Sequence, residues 1–237
     1  MRIDGKTVLV TGGARRVGAN IVRAFAAEEA DVILHVRHSR EEAAELAASL
    51  PRPERCRILM ADFAVPGAAA KLFAECGQVD ILVNNASMFE TDELVSGNEA
   101  HDREQFEVNF WSPLALMRAF AAQELPEGGA IVNLLDQEVT HRSAHGGAYA
   151  LSRRALADAT LELARELGPR NLRVNAVAPG PVLPPPWLPD GKMAKTIPTL
   201  PLRRKVELDD LTSAVLFLCR NDSITGQILC VDCGQSL

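Results

Sequence analysis

Short aliphatic and β-branched runs recur along the chain at 6–10, 31–36, 56–60, 79–83, 130–135, 172–177 and 227–231. Between most of them apolar residues return at steps of three, four or seven positions: Val17, Ile21 and Phe25, then Phe106, Phe110, Met117 and Phe120, then Leu156, Leu163 and Leu167. Strands buried on both faces read as continuous apolar runs, and helices packed on one side read as stripes of 3.6-residue period. The alternation therefore predicts an α/β fold: a doubly wound, parallel, seven-stranded sheet with helices on both faces. No internal repeat divides the pattern, and a chain of 237 residues with 47% hydrophobic content is long enough for one sizeable core. One domain over 1–237 is expected. The rhythm breaks at 179–201, which holds eight of the 14 prolines. A loop or short-helix insertion is expected there, a substrate lid over about 182–202.

Between the first strand and the first helical stripe stands TGGARRVG, Thr11 to Gly18. Unpaired N–H groups at a helix start, with the helix dipole behind them, hold an anion such as a dinucleotide pyrophosphate, and Gly12 and Gly18 let backbone approach closely. An ordinary tight turn has the same pattern, so the rest of the chain has to decide. The second strand, DVILHV, ends without the acidic residue that would accept from the ribose 2′-hydroxyl of NAD. Arg37, His38, Ser39 and Arg40 follow instead. A 2′-phosphate would meet cations and a hydroxyl there, with Arg15 nearby, so NADPH is the expected cofactor. Asp62, after the third strand, is placed either to accept from the adenine amine or to cap the next segment.

The formal net charge of −6 argues against a nucleic-acid backbone as the main partner. No apolar run approaches the ~18 residues of a membrane span. The opening MRIDGKTVLV enters a strand at once, so no membrane association and a cytoplasmic location are expected. Five cysteines, an odd number, are expected to be reduced thiols, with Cys230 and Cys233 as small core residues at the end of the last strand. No His/Cys cluster has metal spacing, and no metal is expected.

Asn84 and Asn85 follow an apolar strand at the carboxyl edge, where open α/β sheets bind ligands, and can tie neighbouring strand ends together. Phe89 is placed to stack on a flat ring opposite a nicotinamide, or else to cap the core. Pro113 stands four residues after Asn109 and lacks the N–H that the Asn109 carbonyl would use, which frees that carbonyl for a water or ligand or simply kinks the helix. Asp136 follows the fifth strand, and Tyr149, the chain's one tyrosine, comes thirteen residues later. Tyr149 and Arg153 are four apart and share a helix face. A cation ~4 Å from a phenol, at surface-like dielectric, favours phenolate by about 4 kcal/mol.

Together the TGxxxxxG turn, NNAS, Asn109, the Tyr149 site, RVNAVAPGPV and the terminal VDCGQSL resemble the short-chain dehydrogenase/reductase family over nearly the whole chain, with its Rossmann-type fold. Arg16 in place of a middle glycine, LHVRHS after the first helix, and Asp136 in place of a catalytic serine are similar to the pteridine reductase branch. The resemblance implies that Asp136 and Tyr149 deliver the proton, with Arg153 and Asn109 completing the catalytic set. It puts Arg16, Ser87 and Phe89 around a pterin, alongside Asp136 and Tyr149, and lets Arg16 also reach cofactor phosphate. NADPH would lie along Thr11, Gly12, Arg15, Val17 and Gly18, then His35, Arg37, His38 and Ser39. It would continue past Asp62, Phe63, Asn85, Ala86 and Ser87 to Tyr149, Arg153, Pro179, Gly180 and Val182. The resemblance also implies a homotetramer, with which Phe106, Phe110, Trp111, Phe120 and Leu163 agree as apolar surface in excess of one helix pair's needs.

The family signature YxxxK reads YALSR here. Arg153 keeps the charge of the usual lysine but is planar and effectively never deprotonated, so cofactor binding should survive the change better than turnover. Three readings follow. The first is an NADPH-dependent reductase of a pterin or folate-type heterocycle. The second is a reductase of another carbonyl or quinone, and the third a weakly catalytic NADPH-binding protein.

Overall fold

The computed structural model describes residues 1–90, 93–140, 146–184 and 191–237, apart from the side chains of 138, 191 and 192. Seven strands, β1 (Thr7–Val10), β2 (Asp31–Val36), β3 (Cys56–Met60), β4 (Ile81–Asn84), β5 (Gly129–Leu134), β6 (Leu172–Pro179) and β7 (Ile228–Val231), form one sheet in the order β3-β2-β1-β4-β5-β6-β7. Every neighbouring pair is parallel, from Val8 against Val32 and Ile81 near the centre to Val177 against Leu229 at one edge. The order reverses between β1 and β4, and the crevice at such a switch point is where doubly wound sheets take ligands.

Strand alternation divides the core in two. Val8 and Val10 face the helices α1 (Arg16–Ala27), α2 (Arg40–Ala48) and α8 (Leu208–Arg220), packing with Ile21, Phe25 and Val215. Leu9 points the other way, toward α3 (Ala68–Cys76), α5 (Ser112–Ala121) and α6 (Gly147–Leu167), into a cluster with Phe73, Met117 and Leu156. Two strand ends differ from the sequence pattern by two residues, the others by one at most. Val79 is apolar and buried, but its N–H donates to Gln123 Oε1 at 2.9 Å, so β4 starts two residues later. At the other end β6 runs on to Pro179, paired with Val231, because a terminal strand position tolerates a missing N–H.

Helix α4 (Glu99–Phe106) continues through a π turn, Glu107–Trp111, into α5. The Ser112 N–H reaches back to Glu107, a five-residue step, ahead of the proline at 113. Part of the expected lid, 185–190, lies outside the described residues. The remainder of that segment includes the short helix α7 (Gly191–Thr196), and Leu200 is buried. Cys233 is buried, as expected, but at φ +55°, in the left-handed region that favours glycine. Phe120 is fully buried, so it adds to the protomer's core rather than to a surface for partners. Among the described residues no helix is long and apolar enough to cross a membrane, and no group of His, Cys, Asp and Glu is arranged for a metal.

Candidate active site

The glycine turn is fixed to its neighbours before any ligand is considered. Gly12 has φ +63°, and a Cβ on Gly18 would sit 2.1 Å from the Gly12 carbonyl oxygen, so α1 can begin this close to β1 only without a side chain. The Thr11 hydroxyl accepts from Asn85 N and Ala86 N, both at 2.9 Å, while Asn85 Nδ2 donates to Thr11 O at 2.8 Å and Gly12 O at 3.0 Å. Thr11 and Asn85 thus spend their side chains joining the β1 and β4 ends. Asn84 does the same for β4 and β5, donating to Asn133 Oδ1 at 2.8 Å. His35, at the end of β2, is buried beneath the turn. Gly12 N donates to its Nδ1 at 3.3 Å and its Nε2 lies 3.0 Å from Ala61 O, a pattern that assigns the proton to Nε2. Its ring stacks on Phe63 at 4.1 Å, and burial pushes its pKa down to about 4.

A cavity of about 270 Å³ opens beside the turn, lined among others by Arg15, Arg37, Ser39, Asp62, Phe63 and Ser87. Its cations are already engaged. Arg15 pairs with Glu42, and Arg37 Nε lies 2.9 Å from an Asp62 oxygen that also accepts from Ala64 N at 2.9 Å. Asp62 is therefore a turn cap as well as a cavity wall. Arg16 does not face this cavity. At φ +54°, it sends its guanidinium to the Leu183 and Pro184 carbonyls at 3.1 and 2.9 Å, joining the glycine turn to the start of the expected lid. Gly180 lies at the carboxyl edge of β6, where a Cβ would come within 2.7 Å of Asp232 Cα.

The second half of the site lies where β5 ends and α6 begins. The Tyr149 phenol donates to Asp136 Oδ2 at 2.8 Å. Phe89 meets the Tyr149 ring edge-on, with centroids 4.7 Å apart. Arg153, one turn along α6, lies with its guanidinium carbon 5.4 Å from the Tyr149 ring centre and donates from Nη1 to Leu134 O at 3.2 Å. The sequence expectation of a phenolate does not hold. Burial and the neighbouring Asp136 charge push the Tyr149 pKa up and outweigh the opposing pull of Arg153, so the phenol keeps its proton. Arg153 is 3% exposed, and its Nε has no partner among the described residues. A buried unpaired donor beside the phenol suits an acceptor such as a ribose hydroxyl.

Asn109, buried in the π turn, works through its side chain. Its Oδ1 accepts from Met88 N at 3.0 Å and its Nδ2 donates to Met88 O at 2.8 Å. Gln105, one turn earlier, donates to Glu90 O at 3.1 Å. Asn109 and Gln105 hold the backbone on either side of Phe89 and so set where that ring stands. Gln105 escaped the sequence reading, although a polar residue four before Asn109 falls on the same helix face. Glu42 escaped it because nothing in its sequence surroundings links it to Arg15.

A family described as Enoyl-(Acyl carrier protein) reductase matches residues 12–236. Among solved structures, the FolM alternative dihydrofolate reductase 1 of Brucella canis, complexed with NADP, superposes with a TM-score of 0.90 at 34% identity, covering 99% of this chain and 95% of that one. Pteridine reductase 1 of Leishmania tarentolae is 30% identical, covering 97% of this chain and 96% of the relative. Galactitol 2-dehydrogenase of Agrobacterium fabrum is 31% identical, covering 99% of each.

Proposed function

We propose that this protein, which belongs to the short-chain dehydrogenase/reductase family, is an NADPH-dependent reductase of a pterin-like heterocycle of the dihydropterin or folate type. The observation that carries the reading is the Tyr149 phenol bonded to the Asp136 carboxylate with the Phe89 ring against it. An acid pair beside an aromatic wall suits a flat ring that must be stacked and protonated at nitrogen. Similarity to a pteridine reductase and to a FolM reductase complexed with NADP supports it.

The glycine turn, the cavity holding Arg15, Arg37 and Ser39, and the unpaired Arg153 Nε fit NADPH. When bound, NADPH supplies the hydride. Tyr149 donates its proton to the substrate nitrogen next to the reduced carbon. Asp136, an ionised carboxylate in contact with the phenol, orients it and passes on to the phenolate a proton that it first takes up from water, and Arg153 stabilises the transient phenolate without itself giving a proton up. Phe89, held by Asn109 and Gln105, packs against one face of the substrate, with Ser87 and Arg16 at its edge. On the same reading residues 1–237 form one reductase domain with a lid over about 182–202. It works in the cytoplasm as a homotetramer, for which the exposed Trp111, Leu151 and Leu161 provide apolar surface.

The galactitol 2-dehydrogenase relative favours a second reading, a polyol or ketose substrate on the same machinery. NADPH oxidation followed across dihydropterins, dihydrofolate, quinones, ketones and ketoses separates the two. Turnover of a dihydropterin or dihydrofolate at least tenfold above all others is expected, and turnover of ketoses alone overturns the pterin reading.

A further inference from the structure

We infer that Glu42 is a specificity-determining residue that competes with the cofactor's 2′-phosphate for Arg15 and so holds down the preference for NADPH over NADH. The inference rests on the NADPH reading above. Arg15 and Arg37 both line the cavity beside the glycine turn, and each is paired with a carboxylate. A third carboxylate, Glu104, lies 3.8 Å from Arg37. The three carboxylates offset the charge of these two guanidinium groups and so weaken their pull on a phosphate, which at neutral pH carries close to two negative charges.

The carboxylates differ in what else they do. Asp62 caps its own turn through Ala64 N, so its place is set by the backbone. Glu42, in the first turn of α2, holds the Arg15 guanidinium. It stays ionised, its pKa lowered by its own backbone N–H and then by Arg15. For the 2′-phosphate to take Arg15, the guanidinium has to leave Glu42 or share its donors, and Glu42 and phosphate then stand as like charges around one cation.

Glu42 also holds Arg15 in place, and a placeholder role would give the opposite sign. The exposure of the pair decides between the two. The Arg15 and Glu42 side chains are 61% and 41% exposed, and a pair so open to water does little to preorganise a side chain. Repulsion between a carboxylate and a nearly dianionic phosphate on the same guanidinium is the larger effect, and it is absent for NADH.

The test is Glu42→Gln, which keeps the shape of the side chain and removes its charge. Dissociation constants for NADPH and NADH are measured by fluorescence titration on the full chain, with thermal unfolding as a check on the fold. The NADPH constant should fall roughly three- to tenfold at low ionic strength, with a smaller gain at high salt, while NADH stays within about twofold. Unchanged NADPH binding, equal shifts for both cofactors, or weaker NADPH binding in a folded variant each overturn the inference. A wild type that binds no NADPH would overturn the cofactor reading itself, and is told apart from those results without any variant.

Discussion

The Tyr149 hydroxyl lies 2.8 Å from Asp136 Oδ2, with its proton directed at the carboxylate, in a pocket that keeps the phenol neutral. Tyr149→Phe removes that hydroxyl and keeps the ring that packs on Phe89. Folding and NADPH affinity should be nearly unchanged, and turnover should drop by roughly a hundredfold or more, as for a lost general acid. Asp136→Ala should lose most activity and Asp136→Ser should keep some. Steady-state rates with a reducible substrate check all three, and full activity in Tyr149→Phe would move proton delivery elsewhere.

Arg153 bonds Leu134 O while lying on the Tyr149 ring, so it is built into the site as an arginine. Arg153→Lys should therefore leave turnover within about threefold, since the charge beside the phenol persists and Asp136 still relays protons to it from water. A gain of tenfold or more would favour the weakly catalytic reading, in which the arginine cripples an ancestral lysine site.

Gly18→Ala is expected to be severe. Its Cβ would lie 2.1 Å from the Gly12 carbonyl, and since backbone must move on both sides the cost should be about 3 kcal/mol, near the upper end for a point change. NADPH binding should be lost with it. At Gly168 a Cβ would meet nothing within 4 Å apart from its chain neighbours and φ is −51°, so Gly168→Ala should cost much less than Gly18→Ala, limited to the crowding of a helical residue ahead of Pro169. Urea unfolding of the two variants compares them directly.

His35 makes stability depend on pH. Unfolded, it takes up a proton below its ordinary value of 6.5, but folded it does so only near 4. The unfolded chain therefore binds more protons between those values, and stability is lost as pH falls from 6.5 to 4, by about 3 kcal/mol in all. His35→Gln keeps an acceptor for the Gly12 N–H and should flatten this part of the curve. Unfolding free energies at pH 7, 5.5 and 4 for both proteins measure the difference, and equal slopes would remove His35 as the cause.

Trp111 is half exposed and meets Phe110 at 4.7 Å on the outer side of the π turn. If this face packs against further copies, Trp111→Glu should lower the light-scattering mass toward that of one chain without unfolding it. A wild type already monomeric at micromolar concentration would contradict the homotetramer.

The alternation of apolar runs determined the sheet: the five inner strands are buried and read as continuous apolar runs, and the half-exposed edge strands β3 and β7 keep enough of the same pattern to be placed with them. All seven lie where the pattern places them, within two residues at either end. The glycine turn was equally legible, since Gly12 and Gly18 answer a backbone demand that no other residue meets. What the sequence could not decide was the direction in which polar side chains spend their donors. Thr11 and Asn85 are committed to each other, Asn109 to Met88, Arg16 to the Leu183 and Pro184 carbonyls, and Arg15 to Glu42. Each partner lies more than twenty residues away along the chain, and local spacing carries no information about it. The state of Tyr149 has the same cause. Spacing alone places Arg153 on its face, but only the packed structure adds burial and the Asp136 carboxylate, and those two together outweigh the cation.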